Sequence, residues 1–91
     1  MTLEKIFGKN AQLIVLENLL DKGTNYLSGI AEDTGLSTSS VSRVIEPLLA
    51  SGIVTEERLG KHIRIFKLDY EDSLTKLVIK FYKDSKGLLK G

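Results

Sequence analysis

The chain has 91 residues, 42% hydrophobic and 27% charged, with a net charge of +1, the composition of one globular domain with a single modest core. It has no cysteine and one histidine, His62, which excludes disulfides, thiolate metal sites and cysteine nucleophiles; no metal and no cofactor is expected. No run of 18 apolar residues exists, and no basic segment followed by an apolar one opens the chain, so no membrane partner is expected and the cytoplasm is the expected location.

The near-neutral total is unevenly distributed. Residues 1–36 carry Lys5, Lys9 and Lys22 against Glu4, Glu17, Asp21, Glu32 and Asp33, a net −2. Residues 37–68 carry Arg43, Arg58, Lys61, Arg64 and Lys67 against Glu46, Glu56 and Glu57, a net +2. A surface can be locally cationic in a protein of little net charge.

In chain order, Leu3, Ile6 and Phe7 predict a short apolar turn that Gly8 ends. Asn10 is a predicted N-cap for a helix over AQLIVLENLLDK, closing at Gly23 with Lys22 in its last turn. Leu13, Leu16 and Leu20 share one face of it, which Ile14, Val15 and Leu19 widen. A short strand is expected at Asn25–Tyr26. A second helix follows over Leu27–Thr34, with Ile30 and Ala31 inward and Gly35 supplying the left-handed residue that ends it. Leu36 plugs the turn, Ser37 caps a third helix to about Ser51, and Gly52 stops it. Short helix, tight glycine turn, longer helix is the helix-turn-helix arrangement.

After Gly52 the hydrophobic period changes to two. IVTEERL and HIRIFKL predict strands joined at Gly60-Lys61, with Ile63 and Ile65 facing one way and Phe66 and Leu68 the other. One face is expected to cover the helices, the other to be covered by the last segment. That segment is predicted to be a helix from Tyr70 to about Ser85, capped by Asp69, with the KGLLKG tail frayed. Tyr70, Leu74, Leu77 and Phe81 recur at spacings of four and three, a coiled-coil-like seam that Val78 and Tyr82 broaden. The seam either covers its own hairpin and first helix or pairs with a second chain. Its apolar excess favours a homodimer joined through Tyr70, Leu74, Leu77, Val78, Phe81 and Tyr82, with Lys76, Lys80, Lys83 and Lys86 toward solvent.

The third helix has an unusual composition. On a wheel of about 100° per residue, Val41, Val44, Ile45 and Leu48 form one stripe, and Ser39, Ser42, Arg43 and Glu46 form the opposite one. Serine is a mediocre helix former, but short hydroxyls let a helix approach a groove and bond phosphates or base edges, and arginine pairs with guanine or clamps a phosphate. The first-turn N–H groups at Ser37, Thr38 and Ser39 favour a nearby phosphate. Pro47 is off both stripes and predicts a kink or a tightened last turn.

The stretches IAEDTGLSTSSVSRVIEPLLASGIV and EERLGKHIRIFKL resemble the winged-helix family of small prokaryotic transcription regulators, over roughly residues 9–68. The first carries the frequent S-V-S-R core at Ser40–Arg43 and the helix-to-strand pattern L-x-x-x-G-I-V at Leu48–Val54; the other resembles the family's wing. The resemblance implies an α+β, mainly α fold: a three-helix core, a two-stranded wing hairpin and a C-terminal helix. It implies that Ser39, Ser40, Ser42 and Arg43 face the major groove, and that Arg58, Lys61, His62 and Arg64 lie near the DNA backbone or minor groove. The chain then reads as a single domain over 1–91, with a winged-helix core at 9–68 and a dimerisation helix at 69–87. Two departures stand out: Pro47 stands where the family usually carries a helix former, and neither the cysteine metal site of metal-responsive relatives nor an appended ligand domain is expected.

The expected function is sequence-specific binding of double-stranded DNA by a homodimer that regulates transcription, most simply as a repressor occupying promoter DNA. The rival is a protein-interaction winged helix within a larger transcription or chromosome-handling assembly, which the near-neutral charge and spare apolar surface favour. No nucleophile–base pair is legible, so no enzyme is expected.

Overall fold

A computed structural model describes residues 1–90. In chain order they form α1 (Thr2–Phe7), α2 (Ala11–Lys22), β1 (Thr24–Tyr26), α3 (Leu27–Thr34), α4 (Thr38–Val44), α5 (Glu46–Ser51), β2 (Val54–Leu59), β3 (Ile63–Leu68) and α6 (Ser73–Lys90). The expected α+β class, dominated by helix, is the one observed.

The local signals act as read. The Asn10 carboxamide oxygen accepts the N–H groups of Gln12 and Leu13 at 2.9 and 3.3 Å, satisfying two of the four donors a helix start leaves open. Gly35 closes α3 at φ 76°, ψ 5° and Gly52 closes α5 at φ 86°, ψ −2°, conformations a side chain resists. Between α2, α3, α4 and the sheet lie Val15, Leu19, Ile30, Val41, Ile45 and Phe66, all fully buried. The inward face of α2 is therefore centred on Val15, Leu16 and Leu19, and Leu13 and Leu20 form its half-buried flanks.

Several details differ from the sequence expectation. Pro47 does not kink one long helix. The helix stops at Val44, Ile45 bridges, and Pro47 sits in the first turn of a separate helix, where its missing N–H costs nothing. Leu59 pairs with Ile63, so the hairpin loop has three residues, Gly60 to His62, instead of a two-residue turn. The short strand expected at Asn25–Tyr26 is present and, beyond the two-stranded hairpin expected, joins the sheet: β1 pairs antiparallel with β3, placing Asn25 opposite Phe66 and Tyr26 opposite Ile65, in the order β1-β3-β2. Finally, Asp69 makes a turn rather than a cap. Its carboxylate accepts the Glu71 N–H at 3.1 Å, and Asp72 caps α6 by accepting the Thr75 N–H at 3.0 Å. From there α6 runs helical to Lys90, through the tail expected to fray.

The last helix packs through Thr75, Val78, Ile79, Tyr82 and Ser85, and leaves Leu74, Leu77 and Phe81 outside; Tyr70, expected to open this helix, lies exposed in the turn before it, so it is not part of a helical seam. It lies beside α1, where Phe7 and Phe81 meet with ring centroids 6.1 Å apart. Ile63, on the outer hairpin face, stays exposed, so the last segment does not cover that face.

A polar junction holds the two terminal helices to α2. Glu17, only 3% exposed, accepts the N–H groups of Thr2 and Leu3 at 3.0 and 2.7 Å, so it caps α1 from across the interface. The Tyr82 hydroxyl donates to Asp21 and lies 3.3 Å from Glu17. Burial, then the Asp21 carboxylate, push the Tyr82 phenol well above the ordinary tyrosine range. A folded-state pKa above the unfolded one means stabilisation that is complete below about pH 10 and fades as pH rises beyond it. Urea midpoints are therefore expected to fall above about pH 10, and Tyr82→Phe to remove that component; an identical alkaline fall in the variant would contradict this.

Candidate nucleic-acid interface

The turn between α3 and α4 is fixed by short-range bonds. Thr34 Oγ1 donates to the Ile30 carbonyl at 2.7 Å and accepts the Leu36 N–H at 3.3 Å, while Leu36 packs on the core. Ser37 Oγ then accepts the Ser40 N–H at 3.1 Å and donates to Ser40 Oγ at 2.9 Å. With Val41 and Ile45 sealed beneath, α4 can present only its opposite side to solvent. On that side Ser37, Thr38, Ser39 and Arg43 are exposed, and Ser40 and Ser42 half-buried. Two of the hydroxyls, Ser37 and Ser40, thus serve the helix cap.

The wing stands beside this face. Its inner surface starts apolar, with Val54 opposite Leu68, and turns charged where it passes α4, with Glu56 opposite Phe66 and Arg58 opposite Arg64. Two arginines facing each other across a ladder repel. Glu56 offsets this by accepting Arg58 Nε at 3.1 Å and Arg64 Nε and Nη2 at 2.7 and 3.0 Å. The Arg64 hydrogen bonds hold the Glu56 carboxyl below its ordinary range.

The ten residues singled out from the sequence divide by this geometry. Thr38, Ser39 and Arg43 on α4, and Lys61 and His62 at the wing tip, project into solvent. Arg58 is mostly exposed but tied to Glu56. Arg64 is not at the rim at all: its side chain is 17% exposed, stacked 5.0 Å from the Phe66 ring centroid, and it gives Nη1–H to Ser42 Oγ at 2.7 Å. Its guanidinium braces the wing against α4, inside the molecule.

Two clefts flank the α4 face. One, about 280 Å³, lies between the start of α3 and the wing, lined by Tyr26, Ser28, Thr38, His62 and Arg64 among others. The other, about 400 Å³, has Asn10, Gln12, Arg43, Val44 and Pro47 in its wall. Tyr26, Ser28 and Gln12 were not singled out from the sequence. A three-residue strand gives no periodic signal, and only the β1–β3 pairing sets Tyr26 near His62.

No protein-family model matches the sequence, and a search of curated proteins finds no match. Solved structures do match. The YusO protein from Bacillus subtilis is 20% identical with a TM-score of 0.69, the alignment covering 98% of this chain and 62% of that one. Overoxidized AbfR bound to DNA is 25% identical with a TM-score of 0.66, covering 90% of this chain and 62% of that one. NadR in complex with 4-hydroxyphenylacetate is 17% identical with a TM-score of 0.65, covering 99% and 68%. This chain thus spans 62% of the length of the first two. With α3, the Gly35 turn and α4 as its helix-turn-helix and β2–β3 as its wing, the fold is a winged helix-turn-helix.

Proposed function

We propose that this chain is a DNA-binding transcription regulator that acts as a homodimer and represses by occupying its site. The observation that carries the reading is the outward face of α4, hydroxyls around Arg43, with the wing tip, Lys61 and His62, standing alongside. An α-helix fits the major groove, and a protein of the same fold, AbfR, has been solved bound to DNA. Two α4 helices of a dimer would enter successive major grooves about 34–36 Å apart. The test is a gel shift of the full chain with genomic fragments at low salt, followed by selection of the bound ones. Retention of a reproducible subset supports the reading. Failure to retain any duplex would favour the rival, a protein-interaction subunit, for which the exposed apolar face is the supporting observation.

Lys61 is placed to touch backbone only. Lys61→Ala is expected to weaken all duplexes alike and to flatten the logarithmic salt dependence of binding by about one unit; a loss confined to selected sequences would contradict that role.

For the dimer, the second copy is argued from the seam that the monomer leaves open. Leu74, Leu77 and Phe81 on α6 are 44, 64 and 45% exposed, and Phe81 meets the exposed Phe7 of α1. Contiguous apolar surface of this kind marks an interface. Val78 and Tyr82 are excluded from it, because both turn inward. Leu77→Asp is expected to convert a two-chain mass to a one-chain mass in sedimentation, with helical content retained. An unchanged two-chain mass would contradict pairing through this seam.

A further inference from the structure

Arg64 is the one arginine of residues 37–68 withdrawn from solvent, and its partners suggest what it is for. A guanidinium has five N–H donors in a rigid plane and no acceptor. Here Nε and Nη2 hold Glu56 at 2.7 and 3.0 Å, Phe66 supports the plane from below, and Nη1 donates to Ser42 Oγ at 2.7 Å. Glu46 at the start of α5 stands 3.8 Å from Nη2. The wing and the outward helix are therefore joined through one planar fork.

The consequence falls on Ser42. A serine oxygen has one proton to give and two lone pairs to receive. Arg64 occupies an acceptor site of Ser42 with a donor that stays charged and cannot reverse its role. Among the described residues Ser42 gives its own proton to no partner, so the hydroxyl, held on one lone pair by Arg64, keeps its donor free beside a single remaining lone pair. We propose that Arg64 is a positioning residue that fixes the orientation of the Ser42 hydroxyl, with its proton free, on the DNA-facing side of α4. This rests on the DNA-binding reading above. In the major groove that donor finds an acceptor in guanine N7 or O6, adenine N7 or thymine O4, and with one lone pair engaged by Arg64 its direction is fixed. The same fork sets the angle of the wing to α4. Arg64 thus contributes to base choice and makes no phosphate contact.

The test uses the full chain, a duplex selected by the wild type, affinities over a range of salt, and re-selection of base preference with S42A, R64Q and R64K. R64Q and S42A are each expected to lose about fivefold in affinity for the selected duplex and to lose the same single base preference, with the salt slope unchanged. R64K keeps the charge but cannot hold Glu56 and Ser42 together, and is expected to behave as R64Q. The double variant S42A/R64Q is expected to be no less selective than S42A. A uniform loss on all sequences with a slope reduced by about 0.9, in R64Q or (if R64Q fails to fold cooperatively) in R64K, would make Arg64 a phosphate contact and overturn the proposal. So would an S42A chain that keeps every base preference. Either result with normal wild-type binding overturns this proposal alone, whereas a wild type that binds no duplex overturns the DNA-binding reading with it.

Discussion

Phe66→Ala is expected to destabilise the chain by about 3–5 kcal/mol, the largest loss expected of any single truncation in this core. Phe66 is 0% exposed at the centre of β3, between β1 and β2, and its ring carries the Arg64 guanidinium. Truncation removes the transfer energy of the ring, leaves a cavity that the sheet cannot close, and takes the support from under a charged group. Domains of this kind are stable by about 5–15 kcal/mol in total, so little would remain. Ile63→Ala, three residues earlier and on the exposed outer face, is expected to change stability by no more than about 0.5 kcal/mol. Urea unfolding followed by far-ultraviolet circular dichroism measures both. A loss under about 1 kcal/mol for Phe66→Ala would mean that the sheet is not seated on the helices as described.

Arg43→Ala has the largest expected effect on binding. Arg43 is exposed at the last turn of α4, has no ion-pair partner among the described residues, and borders the cleft beside Pro47. A guanidinium so placed can pair bidentately with guanine. Its removal is expected to weaken the selected duplex by about 1–3 kcal/mol and to relax one position of the site, with a much smaller loss on random DNA. Equal losses on selected and random duplexes would assign Arg43 to the backbone instead. The contrast with Arg64 is sharp: Arg43 is open to solvent, whereas the Arg64 guanidinium is held by Glu56 and Ser42.

What the sequence made legible was whatever rests on local chemistry. Asn10, Gly35, Ser37 and Gly52 each set an element boundary through one backbone requirement, and each boundary stands where those residues place it. The alternation of Phe66 and Leu68 against Ile63 and Ile65 sorted the two faces of β3. Long-range partners were not legible. Glu17 enters the sequence reading only as one acid of residues 1–36, and nothing local tells that α1 folds back and lays two N–H groups on it. Arg64 reads as a wing cation because nothing in HIRIFKL says that Glu56 and Ser42 converge on it. Pro47 illustrates a subtler gap. Its cost inside a helix was correctly anticipated, yet the chain avoids that cost by ending the helix at Val44 and using proline to begin the next.

The seam of α6 shows the same division. Its spacing was visible, but which half of the apolar set faces inward depends on how α6 meets α1 and α2. Tyr82 turns toward Glu17 and Asp21 to satisfy its hydroxyl, and this rotation carries Leu77 and Phe81 outward.

The most direct measurement is an amide NMR titration of the full chain with a duplex it selects. Binding through α4 and the wing predicts the largest shifts at residues 37–43 and 60–62, with Leu74, Leu77 and Phe81 unmoved. Shifts confined to α1 and α6, with the serine-rich helix silent, would contradict the account.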